Sequence, residues 1–408
     1  MTRSGDVVIT GLGAISPLGD HPDRIFEALC EGRQPFRPPT VFSPDVAQGM
    51  AIAEVPDFSP QRYIITGNLR PLDRTGRLAL VGVDLALADS GWTPEDRAAQ
   101  VMGLVVGTMF CSVRTIAEFD RRAQQAGPEY ASPMDFSNTV LNAAAGQVAI
   151  WQRLRGLNTT IAAGASSGVQ ALGYAADQIR TGHADALVAG GVEEACFESA
   201  FGFQQAGRLT TAPGRRGIVA PFDVDRDGTA LGEGAAFFVL EAADAARKRG
   251  AAILGRILGS ASGFDPHLRE ASHAGSGAGL ATVIRRALDD ARVAAADIGL
   301  IESSANGTPD LDAREAAGLA TVFGDRVPVG AVKSMTGEAL GAAGAFQVLG
   351  ALLAMRYKRQ PGIAGLRRPD PGIALNLSTS TRPVRASRAL VTAAAPEGHW
   401  SALVLAVD

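Results

Sequence analysis

The stretch that most restricts the fold is Thr159 to Asp177, TTIAAGASSGVQALGYAAD. A β-branched, apolar run predicts a strand, the small residues a tight turn, and the apolar spacing that follows a helix from Val169 to Arg180. The same order returns from Arg326 to Met355 in RVPVGAVKSMTGEALGAAGAFQVLGALLAM. Further strands are expected in DVVITGLGA, VMGLVVGTMF, ADALVAGGV, GTALGEGAAFFVLEA and DIGLIESSANG, with an amphipathic helix in GLATVIRRALDDARV. Continuous apolar strands alternating with helices predict an α/β fold whose sheets are covered on both faces. The second part echoes the first in the order of its elements. A divide near the polar segment DAARKRGA gives halves of 1–250 and 251–408. Gly11-x-Gly13 invites a dinucleotide-binding reading, but the third glycine is missing and Pro17 stands where the helix should run.

Charge and cysteine usage narrow the function. A net charge of −4 with no dense Lys/Arg stripe excludes the electrostatic footprint of nucleic-acid binding. Cys30, Cys111 and Cys196 form no CxxC pair and no disulfide framework, which suits a reducing compartment. The N-terminal sequence reaches a strand without a signal-peptide core, so a cytoplasmic location is expected. Ala339 to Met355 is the most membrane-like segment. It is short for a span, rich in Gly and Ala, and carries Gln347, so the expectation is a helix buried on all sides and no membrane association.

Gly164-Ala165-Ser166-Ser167-Gly168 satisfies G-x-S-x-G. A serine hydrolase or acyltransferase would expose Ser166 there and need a histidine base. His267, His273 and His399 follow it in the chain and qualify by order alone. The competing expectation is that Ser166 and Ser167 cap the helix and pack.

VVITGLGAISPLG, APFDVDRDGTALGEGAAFFVLE (220–241) and GAVKSMTGEALGAAGA (330–345), with the GASSG turn between the first two, together resemble the β-ketoacyl synthase family along the whole chain. That resemblance implies the thiolase fold, built of two duplicated halves in α/β/α/β/α layers. Active members of the family condense acyl groups by decarboxylation. They use a cysteine at a helix N-terminus, two histidines and a two-donor oxyanion hole. In this sequence the cysteine position falls on Ala165, the first histidine on Asn306 in ANGTPDLDAREA, and the second on Glu338. The residue whose N–H would complete the oxyanion hole falls on Pro396, and proline has none. The glutamate usual after the lysine helix falls on Gln347, and only Lys333 of the usual polar set remains.

Loss of the nucleophile, both histidines and an oxyanion donor together points to a natural relative that keeps the fold without the chemistry. ANGTPDLDAREA resembles the corresponding segment of chain length factors, the β subunits of type II polyketide ketosynthases. Alanine rather than glutamine at 165, and an NGTPDLD segment about two residues shorter than usual, place the chain in a divergent branch. The resemblance implies a heterodimer with an active, cysteine-bearing ketosynthase subunit, no cofactor on this chain, and an acyl carrier protein whose phosphopantetheine arm delivers the partner's substrate. It places the closed end of the acyl tunnel on Ser112, Thr115, Ile116 and Phe119. These are spaced i, i+3, i+4, i+7 along one helix face, with Met109 and Phe110 a turn earlier. An ordinary core-facing stripe is the alternative for that face, and a stand-alone pseudoenzyme that binds acyl carrier protein the alternative for the whole chain.

Overall fold

The computed structural model describes residues 5–43, 49–65, 67–210, 218–266 and 276–408. Ten strands form one mixed sheet: β1 Val7–Ile15, β2 Met102–Gly107, β3 Asn158–Ile161, β4 Ala186–Glu193, β5 Gly234–Ala242, β6 Gly255–Phe264, β7 Leu300–Glu302, β8 Val329–Gly330, β9 Arg388–Ala394 and β10 His399–Ala406. Their spatial order is β3-β2-β4-β5-β1-β6-β10-β9-β7-β8. The order 3-2-4-5-1 on one side therefore reappears as 8-7-9-10-6 on the other. In each half four strands run in one direction and the fifth, β5 or β10, runs opposite and pairs antiparallel with both its neighbours in that half. The halves meet where β1 pairs with β6 over only Val7–Ile9 and Gly255–Ile257.

That join is short because most of the inter-half contact is made by helices. Ser167–Arg180 packs on β2 and β4 of one half and on β6 and β10 of the other. Ala343–Tyr357 touches β7 and β9 as well as β4 and β5, and the two helices touch each other. Every residue from Ala343 to Met355 is buried, so this apolar helix is a core element, as its Gly/Ala-rich sequence predicts. Arg74–Asp89 covers the outer face of β1, β4 and β5, and Ala278–Ala291 covers β6 and β10. Each half of the sheet is one layer, and helix, half-sheet, helix, half-sheet, helix is the five-layer thiolase arrangement. Separate apolar clusters fill the middle layer and each outer layer.

Gly11 and Gly13 lie inside β1 and serve this layering. A Cβ on Gly13 would sit 2.2 Å from the Gly82 carbonyl oxygen and the Ala86 amide nitrogen of the covering helix. The glycine pair lets a helix lie directly on the strand.

Candidate functional site

The N-terminal ends of the two central helices converge on a small chamber. Its wall consists of Ala165, Phe203, Ser304, Asn306, Leu311, Glu315, Glu338, Ala394 and Pro396. Four residues expected at the family's catalytic positions, Ala165, Asn306, Glu338 and Pro396, thus come together from sequence positions more than 200 apart. The chamber leaves about 10 Å³ for a water-sized sphere, room for roughly one water.

Each element presents its residue for a local reason. The turn before Ser167–Arg180 puts the Ala165 methyl, 2 % exposed, against the chamber. The loop after β7 carries Asn306. Its backbone is held by Asp312, which accepts from the Asn306 N–H at 3.0 Å and the Phe222 N–H at 3.0 Å. Burial pushes the Asp312 carboxyl up to about 6, against the lowering effect of these N–H donors. The short helix Lys333–Thr336 ends at Gly337, φ +72°, and this turn delivers Glu338. A Cβ on Gly337 would lie 2.9 Å from the carbonyl oxygens of Ala230 and Leu231, so the turn requires glycine.

The polar groups of the chamber are engaged with one another. Lys333, 1 % exposed, donates to Glu338 Oε2 at 2.8 Å and to Ser304 Oγ at 3.1 Å. Asn306 Nδ2 donates to the same Glu338 Oε2 at 2.8 Å, and the Leu340 N–H donates to Oε1 at 3.2 Å. Asn306 Oδ1 accepts from the Thr308 N–H. Ser304 Oγ also accepts from the Ala394 N–H, and its own N–H goes to Glu315 Oε1. Thr392 donates to that same oxygen, while burial holds the Glu315 carboxyl at about 7. Gln347 Nε2 bridges the carbonyls of Ser303 and Thr392. The result is a buried ion pair enclosed by amides and hydroxyls, with a methyl where a nucleophile would stand. Ser304, Glu315, Phe203 and Leu311 escaped the sequence reading. Glu315 lies in the quoted DLDAREA run, but only the fold reveals that it turns back toward Lys333.

Ser166 does not have the setting of a nucleophile. Its hydroxyl donates to the Ala163 carbonyl at 2.6 Å, accepts from Gln170 Nε2 at 3.0 Å, and is fully buried. Among the described histidines, His399 packs its ring on Phe264, His183 bonds Thr181 and His21 accepts from Asp23. His267 and His273 lie outside the described residues. Ser166 and Ser167 also do not cap the helix as expected. Ser166 has the N-cap place but αR backbone (φ −87°, ψ −4°), from which its hydroxyl does not reach the N–H groups ahead. Ser167 instead ties the turn, accepting from the Ala163 N–H and donating to the carbonyls of Gly164 and Thr108.

Outside the chamber a larger cleft of about 670 Å³ shares Phe203, Leu311 and Pro396 with it and is also lined by Met109 and Phe110. The backbone of these two residues is fixed by Glu193, which accepts from the Met109 N–H at 2.6 Å and the Phe110 N–H at 3.1 Å. Ser112 stands at the N-cap of helix Val113–Ala126, and Thr115, Ile116 and Phe119 lie on it. Thr115 donates to Asp73, and Phe119 rests its ring 5.9 Å from that of Phe136.

Residues 4–246 match the model of the β-ketoacyl synthase N-terminal domain, and residues 254–367 that of the β-ketoacyl synthase C-terminal domain. The chain belongs to the β-ketoacyl synthase family. Within this family it is 33 % identical over 376 residues to a 3-oxoacyl-[acyl-carrier-protein] synthase 2 of Coxiella burnetii, covering 91 % of this chain and 90 % of that one. It is equally 33 % identical, over 413 residues and 99 % of both chains, to the ketoacyl synthase β subunit of the tetracenomycin polyketide synthase of Streptomyces glaucescens. Among solved structures, the ishigamide ketosynthase/chain length factor matches over 100 % of both chains with a TM-score of 0.92 at 30 % identity. Family resemblance by sequence thus extends to catalytic synthases and to β subunits alike, and the residues of the chamber must discriminate between them.

Proposed function

We propose that this chain is a non-catalytic chain length factor of a type II polyketide synthase. In this role it pairs with an active ketosynthase subunit and shapes the tunnel that receives the growing acyl chain. The observation that carries the reading is the state of Glu338. Both oxygens of its carboxylate are held, by Lys333, Asn306 and the Leu340 N–H, in a chamber where residue 165 is alanine. A condensing site needs a thiolate to hold the acyl chain, hydrogen-bond donors to stabilise the enolate left when carbon dioxide departs, and oxyanion donors. Here the groups at those positions are a methyl, a neutralised ion pair and a proline ring. Decarboxylation, which needs the same enolate stabilisation, is lost with condensation on this reading.

The outer surface supports a partner. Helix Val113–Ala126 has no buried residue. Beside it Tyr130, Met134, Phe136, Val140 and Leu141 are exposed, as is Ile150 on the helix that touches edge strand β3. Exposed apolar side chains in this number are what a permanent interface would cover. A partner seated there would close over the helix carrying Thr115, Ile116 and Phe119 and, with Ser112, make them the far wall of a shared tunnel. Acyl carrier protein would then bring substrate to the partner's cysteine, in the cytoplasm.

The test is co-production with a cysteine-bearing ketosynthase from the same gene neighbourhood, then incubation with acyl-carrier substrates and a thiol-directed ketosynthase inhibitor. A one-to-one complex with all covalent adduct on the partner is expected. An adduct on Ser166, or no complex with any ketosynthase, overturns the proposal.

A further inference from the structure

At the opposite end of helix Ala343–Tyr357 from the chamber, ~22 Å away for 15 residues at 1.5 Å each, lies a separate groove of about 800 Å³. It forms where several chain segments end together: the C-terminus of that helix, the approach to β6, the turn into β9 and the exit of β10. Its apolar lining is Ile253, Leu254, Met355 and Val407. Its charged lining is Arg356, Lys358, Arg385 and Asp408.

The charges are unequally matched. Asp408 is taken by Arg256, whose Nη2 lies 3.1 Å from its Oδ2, and Arg256 also reaches Asp6. Nearby Arg359 is paired with Glu27 at 2.9 Å. Among the described residues, Arg356, Lys358 and Arg385 make no ion pair with any carboxylate, and all three are exposed. Three cations with no carboxylate partner among the described residues thus share one concavity on a chain whose net charge is −4. The helix dipole explains a cation at Arg356 and at Lys358, which follows the last turn. It does not explain Arg385, which comes from a different element.

We infer that this groove binds a small amphipathic anion, an apolar body ending in a phosphate or carboxylate. The volume is that of a small-molecule site. The apolar lining takes the body, and guanidinium forks with an ammonium match a tetrahedral or planar anion. The groove shares no lining residue with the chamber or its outer cleft, so its ligand is independent of the function proposed above.

The test is calorimetric titration of the full chain, alone or in its heterodimer, with octyl phosphate below its micelle concentration. Inorganic phosphate and octanol serve as half-probes. Saturable one-to-one binding of octyl phosphate is expected, with each half-probe much weaker. Arg385→Glu sits on an exposed turn and leaves the fold alone, and it should weaken binding on the order of tenfold or more by replacing attraction with repulsion. Arg356→Ala with Lys358→Ala should weaken it similarly. Binding that is absent, unchanged by both variants, or matched by inorganic phosphate alone overturns the inference.

Discussion

Glu338 and Lys333 are buried together, at 2 % and 1 % exposure, and each is the other's charge partner. Removing one member of such a pair leaves the other as an uncompensated charge out of water. Glu338→Ala should therefore cost roughly 3–5 kcal/mol of stability in urea unfolding. A loss below about 1 kcal/mol would mean that Ser304 alone satisfies the ammonium. The same pair explains why a thiol at 165 is insufficient. Ala165→Cys restores a nucleophile, but no histidine stands among the described residues that line the chamber, and the position expected to give an oxyanion donor is Pro396. A single missing oxyanion donor costs on the order of 10²–10³ in rate. Steady-state assay of the purified variant without a partner should accordingly detect no condensation, and measurable turnover would show that Asn306, Glu338 and Pro396 have been given the wrong roles.

Helix Val113–Ala126 is amphipathic without being buried, so its apolar face has an occupant to gain. Phe136, 64 % exposed and in ring contact with Phe119, marks the outer side of this face. Phe136→Asp should abolish co-purification with the ketosynthase while leaving the isolated chain's thermal unfolding nearly unchanged, since an exposed substitution shifts stability within about 0.5 kcal/mol. Phe119→Ala, in a heterodimer first shown to be intact, should lengthen the main product and Ser112→Phe shorten it, read by mass spectrometry. Ser112 is buried beside Cys111, so a larger side chain there must displace its neighbours. Parent product distributions from both intact complexes would reduce this face to ordinary packing.

Across the whole molecule, five buried carboxyls among the described residues ionise late, and burial, with Asp73 and Glu233 nearby, holds one of them, Glu194, well above the ordinary range. Burial pushes Glu302 up to about 8, Glu193 and Glu315 to about 7, and Asp312 to about 6, from ordinary values of 4.5 for glutamate and 3.8 for aspartate. Between those ordinary values and the raised ones the folded chain holds more protons than the unfolded chain. Unfolding free energy must then fall as pH rises through this window, by roughly 1.4 kcal/mol per pH unit for each proton of difference. Thermal unfolding should thus shift to lower temperature from pH 6 to pH 9. Glu302→Gln should flatten the part of the slope nearest pH 8, because burial pushes this carboxyl up to about 8. A flat profile in the parent chain would show that these carboxyls are already ionised at pH 6.

Strand–turn–helix periodicity was sufficient for the α/β class, the repeated order of elements and the all-round burial of Ala343–Met355, because local spacing of apolar residues records which faces meet the core. The site was legible in another way. The resemblance pointed to Ala165, Asn306, Glu338 and Pro396 one at a time, and the fold brings the four to one chamber. The interactions among them could not be read. That Glu338 neutralises Lys333 depends on the Gly337 turn, and that Glu315 closes the network depends on helix Pro309–Phe323 directing it toward Ser304 and Thr392. Ser166 and Ser167 were misjudged as caps because the residue type favours capping, while the turn's backbone angles decide where a hydroxyl points. Gly11 and Gly13 in the same way owe their presence to a helix more than sixty residues along the chain. Sequence determined the elements because their signals are local. Tertiary structure alone decided which charges pair and which remain open, because hydrogen bonds form between side chains that the chain brings together only after it has folded.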